Sequence, residues 1–199
     1  MEVVGAALAG KLVKEKRLVL NASVTRMRKC STRKALGNAK ERVAHRENFL
    51  VVNDCVIRTG KSPRMLELDI LLEHKHFLAK IRGDGLIVAT PTGSTAYALS
   101  SGGPIVEPEL KANVVAPICP HSLNLRPLLL DARRDLRIIL KAYHQAPSRA
   151  VVFFDGQVSR DITNGDAVDI SIHPKSLVFL RGRKRNYFDL LRTKLKWSA

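Results

Sequence analysis

The stretch from Gly83 to Pro104 concentrates glycines, hydroxyl side chains and a carboxylate in an order that suits a binding loop. It predicts a strand, a turn at Pro91–Gly93, and a short helix that Ser94 or Thr95 caps and Gly102–Gly103 ends. Free backbone amides at a helix start, beside a row of hydroxyls, suit a polar or anionic ligand. The alternative interpretation is that these residues only cap and turn.

The remaining residues with chemical potential fit other sites less well. Gly5 to Leu12 has the glycine and lysine spacing of a nucleotide-binding loop, but Leu12 replaces the Mg²⁺-binding hydroxyl, so a short helix is favoured. His74 and His76 lack companion ligands at metal spacing and are predicted to flank a hairpin turn. Three widely spaced cysteines fit neither a disulfide framework nor a zinc site. The sequence therefore predicts no metal site and indicates a reducing compartment.

Many short apolar runs, punctuated by turn residues, must position the Gly83–Pro104 stretch. Because helices do not alternate regularly with these runs, the pattern favours a mainly β fold, a multi-stranded antiparallel β-sandwich with a short ligand-binding helix and a C-terminal helix. Asn164-Gly165-Asp166 predicts an antiparallel hairpin. The last helix, about Asn186 to Lys196, presents Phe188, Leu191 and Leu195 on one face for packing on the sheet edge. The predicted strands are Arg17–Thr25, Leu50–Arg58, Leu66–Leu72, Leu86–Ala89, Leu136–Leu140, Ala150–Phe154, Ala167–Ile172 and Leu177–Leu180.

The charge balance points to anionic ligands. Thirty-four basic and 18 acidic residues give a formal net charge of +16, which favours phosphates and polyanions. The dense basic run from Arg26 to Arg46 is predicted to be a long exposed loop. Nucleic-acid or polyanion binding is the alternative function, but this run has no aromatic stacking platform except Phe49 at its edge. The apolar stretch Val3–Ala9 is too short for a bilayer and lacks a basic leader, so we expect a cytoplasmic protein without membrane attachment.

The Gly83–Pro104 stretch, together with Ala116 to Leu128, closely resembles the C-terminal domain of NAD kinases. The resemblance covers about Leu8 to the C-terminus and is weakest between Arg28 and Glu47. It implies a phosphotransferase that moves the γ-phosphoryl of ATP to the 2′-hydroxyl of the adenosine ribose of NAD, giving NADP. Further segments that carry it are Asn53–Ile57, Gly60–Pro63, Phe154–Gln157 and Lys194–Trp197.

The resemblance also implies which residues bind the dinucleotide. Asn53 and Asp54 stand where the family's asparagine-acidic pair contacts ribose hydroxyls and adenine. Asp84 stands where a carboxylate accepts hydrogen bonds from the nicotinamide amide or ribose. Arg64 and Arg82 match positions that line the same pocket and face the pyrophosphate. The other implied contacts come from the short helix and one later turn: Thr95, Ala96, Tyr97, Ala98, Leu99, Ser100 and Gln157.

The family's catalytic segment, Gly-Gly-Asp-Gly, does not occur in this sequence. The resemblance therefore implies that no catalytic residue lies in this chain and that ATP and Mg²⁺ need an N-terminal kinase domain. We expect residues 1–15 to be a linker helix, formed between Val3 and Lys14, from that domain. Residues 16–199 are expected to be the β-sandwich domain. The isolated chain should be inactive unless a separate N-terminal domain restores it, and family members form homo-oligomers.

Overall fold

The computed structural model describes residues 4, 5, 7, 10, 12–29, 42–60, 65–142, 148–182 and 187–196. Within them the chain is mainly β. The helical segments with described bounds are a 3₁₀ turn at Thr92–Thr95, α1 at Tyr97–Ser100 and α2 at Tyr187–Leu195, and Val4, Gly5 and Ala7 are also helical. The strands are β1 Leu12–Arg17, β2 Leu20–Lys29, β3 Arg42–Val51, β4 Asp54–Thr59, β5 Leu66–Leu72, β6 His76–Gly83, β7 Gly85–Ala89, β8 Ala112–Ile118, β9 Leu128–Asp131, β10 Leu136–Lys141, β11 Arg149–Phe154, β12 Val158–Thr163, β13 Ala167–Ile172 and β14 Leu177–Gly182.

These strands form two six-stranded antiparallel sheets and one ribbon. Sheet I has the order β3-β2-β13-β10-β5-β6, sheet II has the order β12-β11-β4-β7-β8-β9, and β1 pairs with β14. All pairings are antiparallel. The predicted antiparallel β-sandwich is therefore confirmed.

The main core lies between the two sheets because alternate side chains of each strand point inward. It includes Leu68 and Ile138 of sheet I and Ile57 and Leu86 of sheet II, all at most 1% exposed. A second, smaller core lies on the other face of sheet II, where Ala98 and Val106 cover the middle strands. The 92–106 segment is thus held on the outer face of sheet II, which is where the candidate site forms.

The basic run at 26–46 differs from the predicted exposed loop. β2 and β3 stay paired as far as Lys29 and Arg42, so both ends of the run are strand. β13 pairs with β2 only up to Thr25, which leaves the outer part of this hairpin without a further strand neighbour on that side. Charged side chains are compatible with strands at the edge of a sheet, so charge does not prevent strand pairing here. Residues 30–41 lie outside the described residues.

One predicted strand and one predicted hairpin also need correction. The predicted strand Leu50–Arg58 is really the end of β3 and the start of β4, because the chain turns at Val52–Asn53 to pass from sheet I to sheet II. Asn164–Gly165 does form a tight turn, with Gly165 at φ +92°, but it links β12 of sheet II to β13 of sheet I. The predicted hairpin there is wrong because the two strands pair with different partners.

The terminal predictions hold in part. The N-terminal helix was expected to reach Lys14, but the structure has β1 from Leu12, paired with β14. Of the three apolar residues predicted on one face of the last helix, only Leu191 is buried, whereas Phe188 is 50% exposed. Strands β6, β8, β9 and β12 were not predicted. Proline is rare inside central strands, so Pro117 argued against the strand that β8 forms. Among the described residues, no helix is long and apolar enough to cross a membrane.

Candidate functional site

The turn between β3 and β4 is held by one carboxylate from a distant part of the chain. Asp155 accepts hydrogen bonds from the backbone amides of Val52 (2.9 Å), Asn53 (2.7 Å) and Asp54 (3.1 Å). Its own amide donates to the Asp54 carbonyl at 3.0 Å. Asp155 has φ +50° and Gly156 has φ +66°, in a tight turn after β11 that brings the carboxylate back over the β3–β4 turn. These hydrogen bonds hold the backbone of the β3–β4 turn and therefore fix the positions from which the side chains of Asn53 and Asp54 extend.

The segment after β7 docks directly on the same turn. The Thr90 amide donates to the Asn53 carbonyl at 2.8 Å, and the Thr90 hydroxyl donates to the Val52 carbonyl at 2.5 Å. The Gly93 amide donates to that hydroxyl at 3.1 Å. A Cβ atom on Gly93 would overlap the Asn53 carbonyl group and lie 2.8 Å from Asn53 Cα, so only glycine fits this approach.

Ser94 joins the two ends of the segment and does not cap a helix. Its hydroxyl donates to the Pro91 carbonyl at 2.7 Å and accepts from the Val106 amide at 3.0 Å, and neither helical turn has a side-chain cap. The predicted capping by Ser94 or Thr95 is therefore wrong. The predicted end at the glycine pair is confirmed, because Gly102 has φ +77° and Gly103 bonds back to the Ala98 carbonyl.

An open cavity of about 390 Å³ lies where these segments meet on the outer face of sheet II. Alternate residues of β4 form its floor, Ala96 and Tyr97 form one side, and the Asp155–Gly156 turn closes one end. The Tyr97 side chain is 40% exposed and is free to contact a ligand. The lining residues are Asn53, Asp54, Val56, Arg58, Ala96, Tyr97, Phe153, Asp155 and Gly156.

Asp54 is the buried carboxylate of this cavity, with 6% of its surface exposed. Burial raises the pKa of Asp54 above its usual value of 3.8, and the nearby charge of Asp155 raises it further. A hydrogen bond from the Tyr97 backbone amide opposes both effects. The ionised form of Asp54 is therefore destabilised in this cavity. Carboxylates whose pKa is shifted in this way are common at binding sites.

The structure brings together four of the predicted site residues and places several others next to them. Asn53, Asp54, Ala96 and Tyr97 line one cavity, although they come from two segments about 40 residues apart in sequence. The remaining predicted residues of the helical segment do not line it: Ala98 is buried in the second core, Thr95 and Leu99 are partly buried, and Ser100 is exposed. Gln157 is exposed and follows the Asp155–Gly156 turn directly. Arg64 lies outside the described residues.

Arg82 and Asp84 do not line this cavity. Arg58 pairs with Gly85, so Asp84 lies just beyond the Arg58 end of the cavity floor, about 20 Å along the strand from Asn53. The Arg82 Nε atom donates to Glu67 at 2.8 Å. Arg82 lines a separate cavity of about 440 Å³ with Lys80, His121, Ser122, Asn124 and Leu125. Arg82 therefore does not line the cavity that Asn53 lines in this chain, and its contact with the dinucleotide stays a prediction.

Sequence reasoning missed Val56, Arg58, Phe153, Asp155 and Gly156 at this site. Two signals could have indicated them: an Asp-Gly pair after an apolar strand is typical of a tight turn, and period-two alternation puts Arg58 on the face of Asp54. In the part of the chain described, no group of three or more histidine, cysteine, aspartate or glutamate side chains could hold a metal ion.

Comparisons with known proteins show what this chain is similar to. Residues 52–182 match the family model for the ATP-NAD kinase C-terminal domain. The whole chain is 38% identical to 61% of an NAD kinase from Pseudomonas putida, and 96% of it is 39% identical to 59% of an NAD kinase from Hahella chejuensis. The chain thus spans about 60% of the length of these relatives.

Solved structures with the same fold were found with nucleotides bound. A yeast NADH kinase complexed with NADH matches the whole chain over 53% of its own length, with a TM-score of 0.80 and 26% identity. An NAD kinase from Archaeoglobus fulgidus in complex with ATP matches 96% of the chain over 64% of its own length, with a TM-score of 0.69 and 26% identity.

Proposed function

Since the chain belongs to the NAD kinase family as an ATP-NAD kinase C-terminal domain, we propose that it binds NAD or NADP in the cavity between Asn53 and Tyr97. The observation that carries this proposal is that an amide, a buried carboxylate and an exposed tyrosine ring line one open cavity. A carboxylate beside an amide suits the paired hydroxyls of a ribose. The exposed ring of Tyr97 suits stacking against a base or ribose.

The reaction that this site serves is phosphorylation of the 2′-hydroxyl of the adenosine ribose, with ATP and Mg²⁺ as the donor system. Such a transfer requires a phosphate cradle, Mg²⁺ and a base aimed at the nucleophile. The 199 residues contain no Gly-Gly-Asp-Gly run. We propose that this chain supplies the acceptor side, and that an N-terminal kinase domain supplies the phosphate cradle and the base.

Arg82 and Asp84 do not line the cavity. Asp84 precedes Gly85, which pairs with Arg58 at one end of the cavity floor, and Arg82 lines a separate cavity. The expected homo-oligomer and the expected roles of these two residues stay predictions.

The purified 199-residue chain should bind NAD or NADP and should not phosphorylate NAD with ATP and Mg²⁺. Isothermal titration calorimetry up to millimolar dinucleotide tests the first part, and an NADP-coupled assay tests the second. No saturable heat with either dinucleotide would contradict the proposed binding, and turnover that is abolished by Asp84→Ala would contradict the proposed division of roles. Binding of duplex DNA that falls steeply with salt, without dinucleotide binding, would support the polyanion alternative instead.

Asp54→Asn should weaken dinucleotide binding and stabilise the fold. Loss of a charged acceptor costs about 1.5–3 kcal/mol, so the dissociation constant should rise about 10- to 150-fold. The pKa of Asp54 is raised in the folded state, so the ionised group opposes folding at neutral pH, and this cost disappears as pH falls through the raised pKa toward 3.8. The variant should therefore melt at a higher temperature at pH 7, with the gain vanishing below 3.8.

The matched control is Asp161→Asn, an exposed carboxylate of β12 that lies on the same face of sheet II outside the cavity. It should leave the dissociation constant unchanged. Calorimetry and thermal melts across pH give both readouts. A dissociation constant for Asp54→Asn within twofold of the parent would show that the carboxylate does not contact the ligand.

A further inference from the structure

The floor of the cavity is a single row of side chains on β4. Because residues two apart in a strand share a face, Asp54, Val56 and Arg58 point outward in steps of about 6.7 Å. Cys55 and Ile57, between them, point into the main core. All three outward residues line the cavity, so its floor passes from a carboxylate through an apolar centre to a guanidinium group.

Arg58 differs from most of the arginines that the structure describes in having no carboxylate partner among the described residues. Arg82 pairs with Glu67, Arg160 pairs with Glu47, and Arg137 pairs with Asp169. The guanidinium of Arg58 lies instead over the ring of Phe153, 5.0 Å from its centroid. An aromatic face orients a guanidinium without neutralising it, so Arg58 keeps its full charge and its hydrogen-bond donors.

We propose that Arg58 binds a phosphate group of the dinucleotide and so determines the direction in which the ligand lies along β4. This inference rests on the proposed function. A ribose whose hydroxyls meet Asp54 has its phosphate on the neighbouring part of the floor, where Arg58 is the cation that lines the cavity. A planar guanidinium donates two parallel hydrogen bonds to phosphate oxygens, which neither Val56 nor Phe153 can supply.

Arg149 provides an internal comparison. It also has no ion pair within the described residues, and it lies on the same face of sheet II. It lines a neighbouring cavity of about 550 Å³ that shares Arg58 and Phe153 with the first one, but it does not line the site itself. Arg149→Gln therefore removes the same charge from the same sheet face without removing the proposed phosphate contact.

The test compares three ligands with and without phosphate on the full 199-residue chain. Calorimetry with NAD, AMP and adenosine should show that Arg58→Gln weakens NAD and AMP about tenfold or more and leaves adenosine unchanged. Arg58→Lys keeps the charge but loses the planar donor pair, so it should retain part of the lost affinity. Arg149→Gln should match the parent for all three ligands, and thermal melts check that each variant is folded.

The outcomes separate this inference from the proposed function. If the parent binds NAD and Arg58→Gln binds it equally well, the phosphate contact is refuted and the site stands. Equal weakening of adenosine and AMP would refute it too, since Arg58 would then only shape the cavity. Equal losses in Arg58→Gln and Arg149→Gln would indicate a general charge effect and overturn it. If the parent binds none of the three ligands, both the inference and the proposed function fail.

Discussion

Gly93→Ala should cost at least about 3 kcal/mol of unfolding free energy and should abolish dinucleotide binding. The new methyl group would lie 2.5 Å from the Asn53 carbonyl carbon and 2.8 Å from its Cα atom. Both partners are backbone, so no flexible side chain can move away. Relief of the overlap must separate the 90–95 segment from the β3–β4 turn, which breaks the Thr90 bonds to Val52 and Asn53. Those bonds set the distance between Asn53 and Tyr97 across the cavity.

Gly182→Ala is the control for Gly93→Ala. Gly182 has no atom within 4 Å of an added Cβ and no positive φ, so this change should alter stability by less than about 1 kcal/mol. Chemical denaturation gives the free energies of both variants, and calorimetry with NAD gives the binding. If Gly93→Ala melted within about 2 °C of the parent and bound NAD normally, the two segments could not be packed as described.

Asp155→Ala should be the second most damaging change, although no role was predicted for this residue from sequence. It would leave the amides of Val52, Asn53 and Asp54 without their acceptor. An amide that loses its partner in a partly buried place costs about 1–3 kcal/mol, and water can replace part of the loss here, so we expect about 3 kcal/mol in total. The β3–β4 turn would lose its fixed position, and NAD binding should fall with it.

Asp155→Asn separates the effect of the Asp155 hydrogen bonds to the β3–β4 turn from the effect of the carboxylate charge. Asparagine tolerates the positive φ of this turn and keeps one acceptor oxygen, so the loss of stability should be smaller than for alanine. Removal of the Asp155 charge should also lower the pKa of Asp54 toward its usual value, which NMR titration of the Asp54 carboxyl would measure. A raised Asp54 pKa that stays unchanged in Asp155→Asn would contradict the charge interaction.

The sequence by itself was sufficient for the class of fold and for part of the site. Period-two alternation and turn residues predicted β5, β7, β10, β11, β13 and β14, because local patterning reports which side of a strand is buried. The family resemblance placed Asn53, Asp54 and Tyr97 at one ligand, and these residues share a cavity. Each of these signals lies within a short stretch of chain.

Tertiary structure alone decided which strands pair and which end of each strand faces the cavity. Asp155 clamps a turn about 100 residues away, and Asn164–Gly165 connects the two sheets, contrary to the predicted hairpin. Asp84 and Tyr97 are close in sequence, yet β7 carries them to opposite ends of a strand. The physical reason is that hydrogen bonds between strands join residues of large sequence separation, so local residue patterns specify a strand and its buried face but not its neighbour.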